Sequence, residues 1–267
     1  MTRKSAFAFA FVAAFGMGGT AGTDVWDAGT IPDNGNLTRN EVTHGFSQVH
    51  DLGAQPGPVA DQDWYGMPQE PFSSYEILCD GHTGELSNGF SDTLQRVDGV
   101  GTVLQDSIGY GSFDGFTRSL RFANDTSTPK YEYVRVGNAV CSAGCDTDDQ
   151  YRIRAWDTTL AVPRYNNFGG QVTVLIIQNT AQMGVFGNAY LWTVAGGDTP
   201  VTTVGFGLGA RQTSVINLAT VNGGVANGTS GTITITHDGR YGQLAVKAVA
   251  LEPSTGFSFD SPGLYKP

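Results

Sequence analysis

The stretch "QYRIRAWD", residues 150–157, alternates in character with a strict period of two. Tyr151, Ile153 and Ala155 fall on one side of an extended chain and Arg152, Arg154 and Trp156 on the other, the pattern of a half-buried β-strand. Working outward, "YEYVRVGN" (131–138) repeats the pattern. "SSYEILCD" (73–80) places Tyr75, Ile77 and Cys79 on one face and Glu76 and Leu78 on the other. "DTLQRVDGVGTVLQDS" (92–107) is two short runs about Asp98-Gly99, a hairpin signal. No window sustains a period of 3.6, so this half of the chain reads as all-β.

"TTLAVPRYNN" (158–167) interrupts the alternation, with Pro163 breaking strand continuity. Beyond it "QVTVLIIQN" (171–179) is apolar on both faces, as a covered central strand would be. "AYLWTV", "TSVINLA", "GTITITHD" and "GQLAVKAVAL" follow at short intervals, with turn formers between them. That spacing suggests a second sandwich, immunoglobulin-like or related. The composition agrees: only 15% of residues are charged and 37 are glycine, which suits short strands and tight turns rather than long helices. The expected fold is therefore all-β, two β-sandwich domains in series, the first of jelly-roll type.

The chain opens "MTRKSAFAFAFVAAFGMGGTAG", a positive start at Arg3-Lys4, an apolar run and a small-residue cleavage site. That is a secretory signal peptide, too short to span a bilayer. The organisation expected is a signal at 1–22, a flexible lead at 23–37, a first sandwich at 38–158, a linker at 159–166, a second sandwich at 167–253 and a tail at 254–267. No strand partner is evident for that tail. The mature protein is expected to be exported, extracellular or periplasmic, with no membrane insertion. Losing Arg3 and Lys4 and no acid moves the formal charge from −10 to −12. Such a surface repels phosphate backbones, so nucleic acid is not an expected partner.

Four stretches of the first half, in order, resemble the bacterial pre-peptidase C-terminal domain family. They are Asp61-Gln62-Asp63-Trp64-Tyr65, Tyr75-Glu76-Ile77, Leu94 to Leu104 around Asp98-Gly99, and the closing pair Tyr131–Val136 and Asp149–Arg154. The match spans roughly residues 40–158. The resemblance implies a small β-sandwich serving as an accessory module rather than a catalyst, and some members bind calcium or polymeric substrates. The chain departs from the family's setting in having no peptidase domain before this segment and in carrying a cysteine-bearing loop between the closing strands.

Asp61 and Asp63 stand at i and i+2, so both point the same way on a strand. They either share a calcium ion or cap a turn. Calcium takes six to eight oxygens, for which Asp146, Asp148 and Asp149 of "CDTDDQY" are the supplement. A glycosidase pair needs carboxylates facing each other across a cleft, which two acids on one side of one strand do not supply. Cys141 and Cys145 flank "SAG" and are the expected disulfide of an oxidising compartment, while Cys79 reads as a core thiol. The four histidines (His44, His50, His82 and His237) are scattered, so zinc is not expected, and no nucleophile motif is present. Asn36, Asn124 and Asn227 stand in N-x-T sequons and read as surface turns.

One feature points to binding. Arg152, Arg154 and Trp156, with Arg135 on the strand taken as their neighbour, form a basic and aromatic strip on an acidic protein, able to hold an anionic polymer or stack on sugar. Pairing with acids such as Glu132 is the plainer use for those arginines. The expected function is a secreted non-catalytic binding or structural protein that engages an extracellular polymer or protein partner, with no required cofactor and calcium as the one candidate ion. The alternative is a secreted hydrolase with its site at the domain junction near Arg164-Tyr165-Asn166-Asn167.

Overall fold

The structure, a computed structural model, describes residues 35–53, 62–88, 93–109, 117–137 and 145–266. The expected signal peptide and most of the lead, along with Asp61 and Cys141, lie outside these residues. Among the described residues there is no α-helix, and none long and apolar enough to cross a membrane. The strands form four sheets in which every ladder is antiparallel.

The first half contributes β1 (Ser47–Asp51), β2 (Gln62–Gln69), β3 (Ser73–Asp80), β4 (Thr93–Val97), β5 (Val103–Asp106), the two-residue β6 (Ile108–Gly109), β7 (Arg118–Asn124), β8 (Lys130–Gly137) and β9 (Gln150–Asp157). One sheet runs β1-β9-β3-β7-β6 and the other β2-β8-β4-β5. Setting β6 aside, the first strand pairs with the last, the second with the last but one, the third with β7, and the middle two with each other. Such nested pairing is that of a jelly roll. The two sheets close on one core. Ile77, Cys79, Leu120, Tyr151 and Ile153 come from one, and Tyr65, Met67, Leu94, Val134 and Val136 from the other. The alternation read in residues 150–157 is what builds this face: Tyr151 and Ile153 are fully buried while Arg152 is exposed. Burying each large side chain of that set contributes about 1.5–3 kcal/mol.

The second half contributes β10 (Leu160–Asn166), β11 (Val172–Asn179), β12 (Val185–Thr193), β13 (Thr202–Leu208), β14 (Thr213–Asn217), β15 (Ser230–His237), β16 (Leu244–Leu251), β17 (Ser258–Pro262) and β18 (Leu264–Tyr265). Its sheets run β13-β12-β15-β10-β18 and β14-β11-β16-β17. They enclose a separate core that includes Leu160, Leu175, Ile177, Leu191, Ile233 and Ile235. Counted from β10, second pairs with fifth and third with sixth, as in an immunoglobulin sandwich, but β10 also joins β15 and β11 joins β16.

Two sequence expectations need correction here. Residues 159–166 are not a linker, since β10 is an integral strand of the second sandwich. Pro163 is tolerated because β10 bulges between Val162 and Tyr165, so its missing N–H breaks no ladder bond. The tail likewise has partners: β17 lies along β16 and β18 along β10. The chain changes sheets at Gly263, where a Cβ would stand 2.9 Å from the Val246 side chain.

The sandwiches meet through specific contacts. Asp125, in the turn after β7, accepts hydrogen bonds from Tyr190 Oη at 2.5 Å and Thr236 Oγ1 at 2.8 Å. Phe72 packs on Tyr190 and Trp192, with ring centroids 4.7 and 5.0 Å apart. Lys266 Nζ donates to Ser73 Oγ at 2.8 Å. The neighbouring Asn124 is buried and donates to the carbonyls of Glu70 and Thr128, so this sequon is a structural turn rather than a surface one.

Candidate functional site

The outer face of β3, β7 and β9 forms the floor of a cleft of about 350 Å³ at this junction. Register sets its chemistry. Across the ladder from β3, Trp156 stands opposite Glu76 and Arg152 opposite Asp80, while Arg121 of β7 faces Glu76 from the other side. Arg121 Nε donates to Glu76 Oε1 at 2.9 Å, with both side chains nearly inaccessible. Arg152 Nε reaches Asp80 at 2.8 Å, and Arg154 Nη2 takes the other oxygen of the same carboxylate. The guanidinium of Arg154 also lies over the Trp156 ring, 5.2 Å from its centroid.

The opposite wall comes from the turn between β15 and β16. Tyr241 stacks on Trp156 with centroids 6.3 Å apart and planes 19° apart, and its backbone N–H donates to Glu76 Oε2 at 2.8 Å. Arg240 lines the cleft beside it. Three arginines, Arg121, Arg154 and Arg240, thus face two carboxylates in a chain whose net charge is −10. Both carboxylates are already engaged as hydrogen-bond acceptors by guanidinium groups. Arg152, Arg154 and Trp156 are therefore brought together as their spacing suggests. Arg135 is not: β8 belongs to the other sheet, where Arg135 donates to Gln95 at 2.5 Å and lies over Trp64. Alternation reports which face a residue takes, not which strand lies beside it, and hence the error.

Among the described residues, the expected calcium ligands are not gathered into one site either. Asp63 is fully buried, where its Oδ2 accepts from the hydroxyl of Tyr151, itself 2.6 Å from Tyr65 Oη. Burial, with Asp63 beside it, drives the Tyr151 hydroxyl well above its ordinary titration range. Asp146, Asp148 and Asp149 do cluster, each offering an oxygen within 4.8 Å of the others. Their carboxylates work locally: Asp149 accepts from the backbone N–H of Glu85 and Asp146, and Asp146 from that of Asp148. That N–H holds Asp146 below its usual range, while hydrogen bonding and repulsion from Asp146 push Asp148 up. Cys145 packs against the first core; Cys79 is a buried thiol 3.5 Å from His82 Nε2, a pairing that the histidine spacing did not suggest.

A larger cleft, about 910 Å³, lies on the outer face of the β12-β15-β10 strands. It includes Arg164, Tyr165 and Asn166, the stretch where the alternative reading put a hydrolase site, but all its walls belong to the second sandwich. Among the described residues lining it there is no Asp, Glu, His or Cys. Sequence reasoning missed Tyr241, which falls between two of the strands read from the pattern, and Trp192, read only as a strand residue. The exposed Arg240-Tyr241 pair at a tight turn was the available signal for the first.

No family model matches the chain, and no curated protein matches it either. Among solved structures it is similar to a calcium-binding mutant of Bacteroides uniformis β-glucuronidase 2, at 13% identity and a TM-score of 0.19. The alignment covers 76% of this chain and spans about a quarter (26%) of that one. Similarity at that level carries no argument about either fold or function.

Proposed function

We propose that this is an exported, non-catalytic binding protein that engages an anionic extracellular polymer through the junction cleft. The observation that carries the reading is the stack of Arg154, Trp156 and Tyr241, made by two sandwiches together and lined by three arginines on an otherwise acidic molecule. A planar guanidinium beside aromatic faces suits a carboxylate- or sulfate-bearing sugar, which offers an anion and an apolar ring face. The acidic remainder repels polyanions in general, so retention would come from this cleft and not from bulk charge. The signal sequence supports export, and the likeness of residues 40–158 to an accessory-module family supports binding over catalysis. The engagement of Glu76 and Asp80 by arginines weighs against the hydrolase alternative. Two finer features belong to this reading: a Cys141–Cys145 bridge, supported by Cys79 lying in the core beside His82, and calcium at the Asp146–Asp149 turn.

The test is co-sedimentation of the protein with insoluble carboxymethyl cellulose, peptidoglycan and uncharged cellulose, each with calcium and with chelator. Retention on an anionic polymer that falls about ten-fold in Arg154→Gln, and that weakens with salt, is the expected result. Retention indifferent to Arg154→Gln, or none on either anionic polymer, refutes the assignment. Loss in chelator would bring the Asp146–Asp149 turn into the site.

A further inference from the structure

The 910 Å³ cleft plays no part in that reading, yet its walls are built for a ligand of different chemistry. Trp192 lines it with its indole N–H already donated to Thr234 Oγ1 at 3.0 Å, so what it offers outward is hydrocarbon surface. The ring is held in place by Phe72, which meets it edge-on at 5.0 Å with planes 75° apart. Phe168 stands at the rim, 66% exposed. Its presentation is fixed by the backbone: Asn166 Oδ1 accepts the Phe168 N–H at 3.1 Å, and Gly169 and Gly170 follow at φ 65° and 86° to turn the chain. Those left-handed angles favour glycine, so the aromatic tip is held out by the turn.

Between the aromatic side chains the surface is hydroxylic. Thr232 and Thr234 on β15, with Ser230, line it together with Asn166. The charged side chain among the described lining residues is Arg164, whose guanidinium lies 4.7 Å over the Phe259 ring. An anion would find little to neutralise it here. An apolar ligand would strand the hydroxyls, and a protein hot spot calls for a drier, more apolar centre. A sugar ring meets both requirements, with a C–H face for the aromatic side chains and hydroxyls at its edge for threonine, serine and asparagine. The volume lies within the ~300–1,000 Å³ of small-ligand clefts, room for a short oligosaccharide.

We infer that this cleft is a second binding site, specific for an uncharged glycan stacked on Trp192 and Phe168. It does not depend on the junction cleft, and a polymer with both charged and neutral stretches would occupy the two sites independently.

The test is calorimetric titration of the protein with β-1,4-linked glucose and N-acetylglucosamine hexasaccharides. Phe168→Ala is the main variant, because the side chain is mostly in solvent and its loss should spare the fold. Thr232→Val, which removes a hydroxyl and keeps the shape, is the second. Saturable binding by the protein, weakened about ten-fold in Phe168→Ala and unchanged in Arg154→Gln, is the expected outcome. Absence of binding to both sugars at millimolar concentration overturns the inference, as does wild-type affinity in both Phe168→Ala and Thr232→Val. Loss in Arg154→Gln instead would assign the glycan to the junction cleft, and overturns it too.

Discussion

Acid should loosen the junction through one histidine. His237 ends β15 in the interior, with its Nδ1 accepting the Gly239 N–H at 3.0 Å. Burial holds its imidazole down from 6.5 to about 4, with a smaller opposing pull from the Thr158 backbone and a push in the same direction from Arg121. Protonation at Nδ1 would also break the bond to Gly239. Because the folded value lies below the unfolded one, the unfolded chain takes up the proton first as pH falls. The stability tied to neutral His237 is therefore fully present above about 6.5 and drains away as pH falls towards about 4. The gap between those two values corresponds to about 3 kcal/mol, or roughly 6–12 °C in melting temperature for a chain of this size. His237→Asn keeps an acceptor for Gly239 and removes the titration. Urea unfolding followed by tryptophan fluorescence at pH 4, 5, 6 and 7 should show the wild type losing about 3 kcal/mol more than the variant across that range. Carboxylates titrate in both proteins, so the difference between the two curves isolates the imidazole. Parallel curves would refute the reasoning, as would the His237 imidazole seen by NMR to titrate near 6.5 in the folded protein.

Two further outcomes follow from the buried polar groups. Glu76→Ala leaves Arg121 in the interior without its carboxylate and should cost about 3–5 kcal/mol, with much of it recovered when Arg121→Met is added; equal loss in the single and double variants would contradict the pairing. Tyr151→Phe takes one donor from Asp63 and should lower unfolding stability by about 1–3 kcal/mol, against a few tenths for the partly exposed Tyr131→Phe, both read from denaturant midpoints.

The residues that define the junction cleft show how far local pattern reaches. Arg152, Arg154 and Trp156 were legible because alternation along one strand needs only neighbouring residues to be compared. Tyr241 was not: it meets Trp156 from a turn 85 residues further on, and no periodicity carries across that distance. Asp63 failed for a related reason. Its place in an acidic pair suggested solvent or metal, but β2 is covered along most of its length and Tyr151 of the facing sheet supplies the hydrogen bond.

The sequence by itself determined that the chain is all-β, where most strands lie and which face of each goes inward, because hydrophobic burial on a pleated strand imposes a period of two. It also determined the hairpin at Asp98-Gly99, since a turn is chosen by the residues within it. Which strands lie side by side was decided only in three dimensions: Arg135 went to a different sheet from Arg152, the proline-bearing segment became β10, and the tail found partners in β16 and β10. Strand pairing is settled by the joint packing of two whole sheets, and both clefts exist only once that packing has brought distant segments together.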